Sequence, residues 1–239
     1  MGVRDTATRL TTTLGLQTKP IALALADAPP AGVRTFEGSV PSACTFWRRA
    51  ESAVFYATAA QHFRCPVGAM VMGFEMPNDV QAELMGLVGV MVEGGYLGAD
   101  EASSIPKLPR KSAGVVYGPL QDFPIEPDAI VLWLTPRQAM LMSEASGACR
   151  WTGSMPAATL GRPACAAIPT AVSRGAMTSS LGCIGMRTYT EVADDQMLAI
   201  IPGGAVPQLE ATLNQIVAAN GAMAEFHEGR KASTASRAG

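Results

Sequence analysis

Short unbroken apolar runs, each closed by turn residues, set the pattern of this chain more than strict alternation does. Lys19 to Leu25 (KPIALAL) reads as a buried strand followed by the turn material DAPPAG, and Ala129 to Leu134 (AIVLWL) as a strand of the fully buried type. Thr135 then supplies an N-cap and Pro136 the first helical position, with RQAMLMSEAS as the helix. The same strand-turn-helix order returns in MLAIIPGG followed by VPQLEATLNQIVAAN, where Val206, Leu209, Leu213 and Ile216 fall on one face. Phe46 to Ala60 is predicted helical and leads to Cys65, after which Pro66 and Gly68 read as a turn. Asn78 to Glu93 is predicted as a second helix, capped by Asn78 or Asp79 and stopped at Gly94-Gly95. Tyr96 to Pro127 is the least periodic section and carries one strand, Gly114 to Tyr117. The sum is an α/β or mixed α+β fold, one compact domain with a buried sheet flanked by helices. Residues 1–18 are expected as an N-terminal helix or arm, and the polar tail after His227 as disordered.

Composition narrows the function classes. Apolar residues make up 48% of the 239 and charged residues 16%, enough for a sizeable core. The formal net charge is -2 and no Lys/Arg run exceeds a pair, so nucleic acid is not an expected partner. The longest apolar stretch, Leu84 to Val92, is broken by Gly86 and Gly89 and falls short of the roughly 20 residues that cross a bilayer. The charged, Thr-rich start lacks the pattern of a secretory leader, and a cytoplasmic protein is the expectation. The helix from Val80 to Val92 is apolar nearly all round and is the candidate seam of a homodimer.

Nucleotide-binding and hydrolase motifs are missing, and with only His62 and His227 a histidine-rich metal site is excluded by count. The thiols remain. Cys44, Cys65, Cys165 and Cys183 sit in small-residue, Gly- and Pro-rich surroundings, whereas Cys149 has weaker surroundings and reads as structural. No two of them form CxxC, so any ligand set must converge from distant segments. His62 precedes Cys65 by three residues, a spacing that on a helical turn would let the imidazole act as base or second ligand. Gly182 and Gly185 flank Cys183 and free the backbone for positive φ, while Arg187 offers a forked donor to an anion. Cys44 precedes a predicted helix start, where the macrodipole would favour a thiolate.

The runs KPIALAL, CTFWRRA, HFRCPVGAM, PDAIVLWLTPRQAMLM, RPACAAIPTAV and SLGCIGMR, in that order, resemble the DUF169 family, an uncharacterised group common in archaea and anaerobic bacteria. The resemblance covers roughly Lys19 to Arg230, with 19–228 as the DUF169-like domain. It implies that Cys44, Cys65, Cys165 and Cys183 occupy recurring positions, with Lys19, Gln138, Gly182, Gly185 and Arg187 in the other recurring motif places. Three readings follow. The first is a cysteine-ligated metal or iron-sulfur cofactor, in a non-redox lyase, hydrolase or sulfur-removing enzyme whose small anionic substrate is oriented by Arg187 or Lys19. The second is a protein binding a tetrapyrrole or other large organic cofactor with one Cys as axial ligand. The third is a cofactor-free thiol enzyme using Cys65 with His62.

Overall fold

A computed structural model of the chain describes residues 3–98, 100–147, 159–160 and 162–235. The elements run α1 (Val3–Leu14), β1 (Ile21–Ala26), α2 (Thr45–Ala50), β2 (Phe55–Thr58), α3 (Ala59–His62), α4 (Pro66–Val71), α5 (Asn78–Glu93) and α6 (Glu101–Ser104). They continue with β3 (Gly114–Pro119), β4 (Ala129–Leu134), α7 (Pro136–Ala145), β5 (Thr159–Leu160), α8 (Ala167–Arg174), β6 (Thr178–Ser180), α9 (Ile184–Thr190), β7 (Met197–Pro202) and α10 (Val206–Ala235). The fold is mixed α+β. The strands form one open sheet in the order β2-β3-β1-β4-β7-β6-β5, antiparallel throughout except for the short edge pair β5 and β6.

Both faces of the sheet are covered, and this explains the unbroken apolar runs. Ile21, Leu23, Val115, Tyr117, Val131, Trp133, Leu198 and Ile200 point to one layer, where Phe46 and Trp47 of α2, Ala69 of α4, Ile168 of α8 and Met186 of α9 meet them. Ala22, Ala24, Val116, Ile130, Leu132, Leu134 and Ile201 point to the other, against Leu10 of α1, Met142 of α7 and Leu209 of α10. A strand buried on both sides gains about 1.5–3 kcal/mol from each large side chain of either parity. Continuous apolar sequence therefore reports burial here and not parallel direction.

The two strand-turn-helix units stand as expected. Thr135 caps α7 in a capping box with Gln138, and Pro136 occupies its first turn. Three expectations are corrected. Residues 46–60 are not one helix: α2 ends at Ala50, and Phe55–Thr58 pairs as β2 with β3, the aromatic and β-branched run Val54-Phe55-Tyr56 suiting a pleated surface better than a helix. Pro66 does not end a helix but begins α4, at the position where its missing N–H costs nothing. The segment after His227 is helical to Ala235, because Ala, Glu, Arg and Lys favour a helix even where its side chains, from residue 221 to 233, are exposed. Helix α5 buries Val80 and Leu84 and turns Met85, Leu87 and Val90 outward. No described helix is long and apolar enough to cross a membrane.

Candidate functional site

Four segments far apart in sequence deliver their cysteines to the same layer, the face that carries α2, α4, α8 and α9. Cys44 is the N-cap of α2, Cys65 of α4 and Cys183 of α9, and Cys165 lies in a 3-10 turn that runs into α8. Cys44 belongs to the buried cluster of that layer, and Cys165 and Cys183 pack against it. Their charges interact. Burial first, then the negative charge of Cys65, Cys183 and Cys44, holds the Cys165 thiol well above its ordinary value. Cys44 is pushed up to about 11, chiefly by burial, with Cys65 and Cys183 adding to the rise and the Ser42 hydroxyl opposing it. Burial thus outweighs the helix-start effect expected for Cys44. The four are free thiols.

Ser42, two residues before Cys44, lies between two of them. Its Oγ stands 3.1 Å from Cys44 Sγ and donates to Cys65 Sγ at 3.6 Å. Gly68 closes the same spot. A Cβ there would fall 2.6 Å from Ala43 Cβ and 3.1 Å from Cys65 Sγ. Gly68→Ala is therefore expected to destabilise by about 1–3 kcal/mol through overpacking, read as a lower midpoint in urea with unchanged slope, and to displace Cys65.

Tyr117, from β3, belongs to the buried cluster of the same layer. Its hydroxyl is fully buried and is raised by burial and then by the charges of Cys165, Cys44 and Cys65, which places it beside the thiols. The hydroxyl meets His62 Nε2 at 3.0 Å. His62 Nδ1 meets the Thr58 carbonyl at 2.8 Å. A carbonyl only accepts, so Nδ1 carries the proton, and Nε2 accepts from Tyr117. Burial lowers His62 to about 4 and keeps it neutral. Both ring nitrogens are engaged and the ring packs against Phe46 and Phe74. The imidazole orients Tyr117. α3 ends at His62, and Cys65 closes the turn that follows, its N–H donating to the His62 carbonyl at 2.9 Å.

The remaining predicted residues divide between the site and the opposite layer. Gly182 has φ of +87°, and a Cβ there would overlap the Met186 side chain, so the loop into Cys183 requires glycine. Gly185 lies within α9 with ordinary space around it. Arg187 spends its fork on backbone, donating to the carbonyls of Leu181 at 2.8 Å, Gln196 at 3.0 Å and Ala193 at 3.4 Å, so it fixes the loop that carries Cys183. Gln138 completes the α7 cap and donates to the carbonyls of Leu14 and Gly15, which ties α7 to the end of α1. Lys19 lines a cleft of about 270 Å³ with Ala7 and Thr11 of α1. Lys19 and Gln138 thus serve the α1 side of the sheet. Cys149 lies outside the described residues.

The donor set is soft and suits a thiophilic metal. Among the described residues, however, no three His, Cys, Asp or Glu side chains are gathered closely enough to hold one metal ion as they stand. Compared with known proteins, residues 9–212 match the model of the DUF169 family, described as uncharacterised ArCR. No curated protein matches the chain. No solved structure matches it.

Proposed function

The chain belongs to the DUF169 family, and from that premise and the geometry of its thiols we propose that Cys44, Cys65, Cys165 and Cys183 are the ligands of a cysteine-bound metal or iron-sulfur centre. One observation carries the reading: four cysteines from four separate segments stand at the starts of α2, α4 and α9 and in the turn before α8, on the layer of the sheet where Cys44, Cys165 and Cys183 pack and Ser42 links Cys44 to Cys65. Cys44 and Cys165 are raised by burial and by the neighbouring sulfurs, and a cation among them would remove that cost. Cys44, Cys65, Cys165 and Cys183 would hold such a centre as thiolates, their protons leaving on binding. When bound, such a centre supplies a Lewis acid toward a substrate oxygen or sulfur.

The chain's own residues then bind and shield. Tyr117, oriented by His62, closes the buried side, and Arg187 holds the Cys183 loop. Thiol catalysis by Cys65 without a cofactor finds less support, because both nitrogens of His62, its intended base, are engaged by the Thr58 carbonyl and the Tyr117 hydroxyl. Orientation of an anionic substrate by Arg187 or Lys19 is likewise not part of the reading.

Anaerobic reconstitution with iron and sulfide, followed by desalting and metal and sulfide analysis, tests it. About one centre per chain is expected, with a broad charge-transfer absorption. Protein that retains no stoichiometric metal, either as purified or after reconstitution with iron or zinc, overturns it.

A further inference from the structure

Of the four thiols, two are already joined through one hydroxyl. Ser42 is buried, and its Oγ lies within hydrogen-bond distance of both Cys44 Sγ and Cys65 Sγ. Ala43 and Gly68 are in close approach, and Gly68 lacks the Cβ that would push against Cys65 Sγ. Among the described residues no shared donor joins Cys165 and Cys183: the Cys183 sulfur accepts the Met186 N–H at 3.4 Å.

We propose that Ser42, Cys44 and Cys65 form a pre-assembled dithiol site that captures a thiophilic metal or metalloid ion with two sulfurs, Ser42 being the positioning residue that holds the pair together. This extends the reading of these cysteines as ligands, yet it needs only two of them. The ion arrives first at Cys44 and Cys65, and Cys165 and Cys183 close on it afterwards. The Ser42 hydroxyl gives its one proton to Cys65 Sγ, a donor that stays after the thiol protons are lost, and a hydrogen bond to a charged acceptor is the stronger kind.

A trivalent arsenical isolates the pair without any reconstitution. Phenylarsine oxide reacts with two thiols: both S–H protons leave with the arsenical oxygen as one water, two As–S bonds form, and arsenic stays trivalent. The full-length reduced protein is treated with phenylarsine oxide anaerobically, then probed by intact mass and by iodoacetamide labelling of the remaining thiols. One phenylarsenic group per chain is expected, with Cys44 and Cys65 protected together. Ser42→Ala should slow the capture about tenfold, the loss of one hydrogen bond to a charged sulfur, and Ser42→Thr should restore it. Where Ser42→Ala fails to fold by circular dichroism, the Cys165→Ser/Cys183→Ser chain carries the test, undiminished capture supporting the site and lost capture overturning it. Arsenic bridging Cys165 or Cys183, no capture, or an unchanged rate in a folded Ser42→Ala each overturns the proposal. Capture by the pair in protein that takes up no metal would leave the dithiol site standing and the four-thiol centre refuted.

Discussion

Cys165→Ser should lower metal retention by more than about a hundredfold, beyond the range seen when only an outer partner of a ligand is lost, while the protein stays folded. Cys165 is held well above its ordinary value, by burial first and then by the charges of Cys65, Cys183 and Cys44, so its ligation would relieve both the desolvation and the repulsion its thiolate meets. The stability cost is smaller. Replacing a partly buried sulfur by a hydroxyl costs about 1–3 kcal/mol, visible in a denaturant midpoint and separable from metal content. Because loading must displace protons from thiols held above their ordinary values, metal affinity should climb as pH rises from 7 to 9, with protons released to buffer on binding. A Cys165→Ser chain that reconstitutes as fully as the native one removes Cys165 from the ligand set. Retention that does not change with pH removes the raised thiols from the account.

The strands were legible wherever burial alone decided them. AIVLWL and MLAIIP are buried on both faces, so composition and length were enough to mark β4 and β7. β2 was not legible, because what makes Phe55–Thr58 a strand is its ladder with β3, some sixty residues away, where Phe55 faces Tyr117 and Thr58 faces Gly114. Periodicity within a window cannot hold that pairing. The extension of α10 was hidden for the opposite reason: residues 221 to 233 are exposed, so no core-facing apolar stripe announces a helix.

At the site, residue type was legible and donor allocation was not. Small-residue surroundings singled out four cysteines, and the structure brings those four to one face. A guanidinium near a glycine-flanked cysteine looks the same in sequence whether it awaits an anion or binds carbonyls. Arg187 does the second, since Leu181, Ala193 and Gln196 present their oxygens to it across a loop the sequence does not fold. His62 is similar. Its spacing from Cys65 suggested a helical pair, whereas its partner is Tyr117, fifty-five residues on. Ser42 and Gly68 carried no signal of their own, because one matters through distances to sulfur and the other through the atom it lacks.

Acid should destabilise the protein before its carboxylates titrate. His62 ordinarily titrates near 6.5 and is lowered to about 4 by burial. The unfolded chain therefore binds a proton in the interval where the folded one does not, and stability falls as pH drops through it. Above pH 6.5 both states are neutral at this residue and the contribution is constant. Between there and about 4 the slope is about 1.4 kcal/mol per pH unit, and below about 4 it levels, for a loss of about 3 kcal/mol in all. Glu75, held low by Lys111, loses its smaller and exposed contribution only below the ordinary carboxylate range of 4.5, so the upper part of the window reports on His62. Urea midpoints across pH 7.5 to 4 measure the slope. His62→Gln should remove it while lowering stability at neutral pH, since Tyr117 and the Thr58 carbonyl lose a fitted partner inside the core. A native profile that is flat from 6.5 to 4.5, or a His62→Gln profile as steep as the native one, would show that the imidazole between Thr58 and Tyr117 already carries its second proton in the folded state.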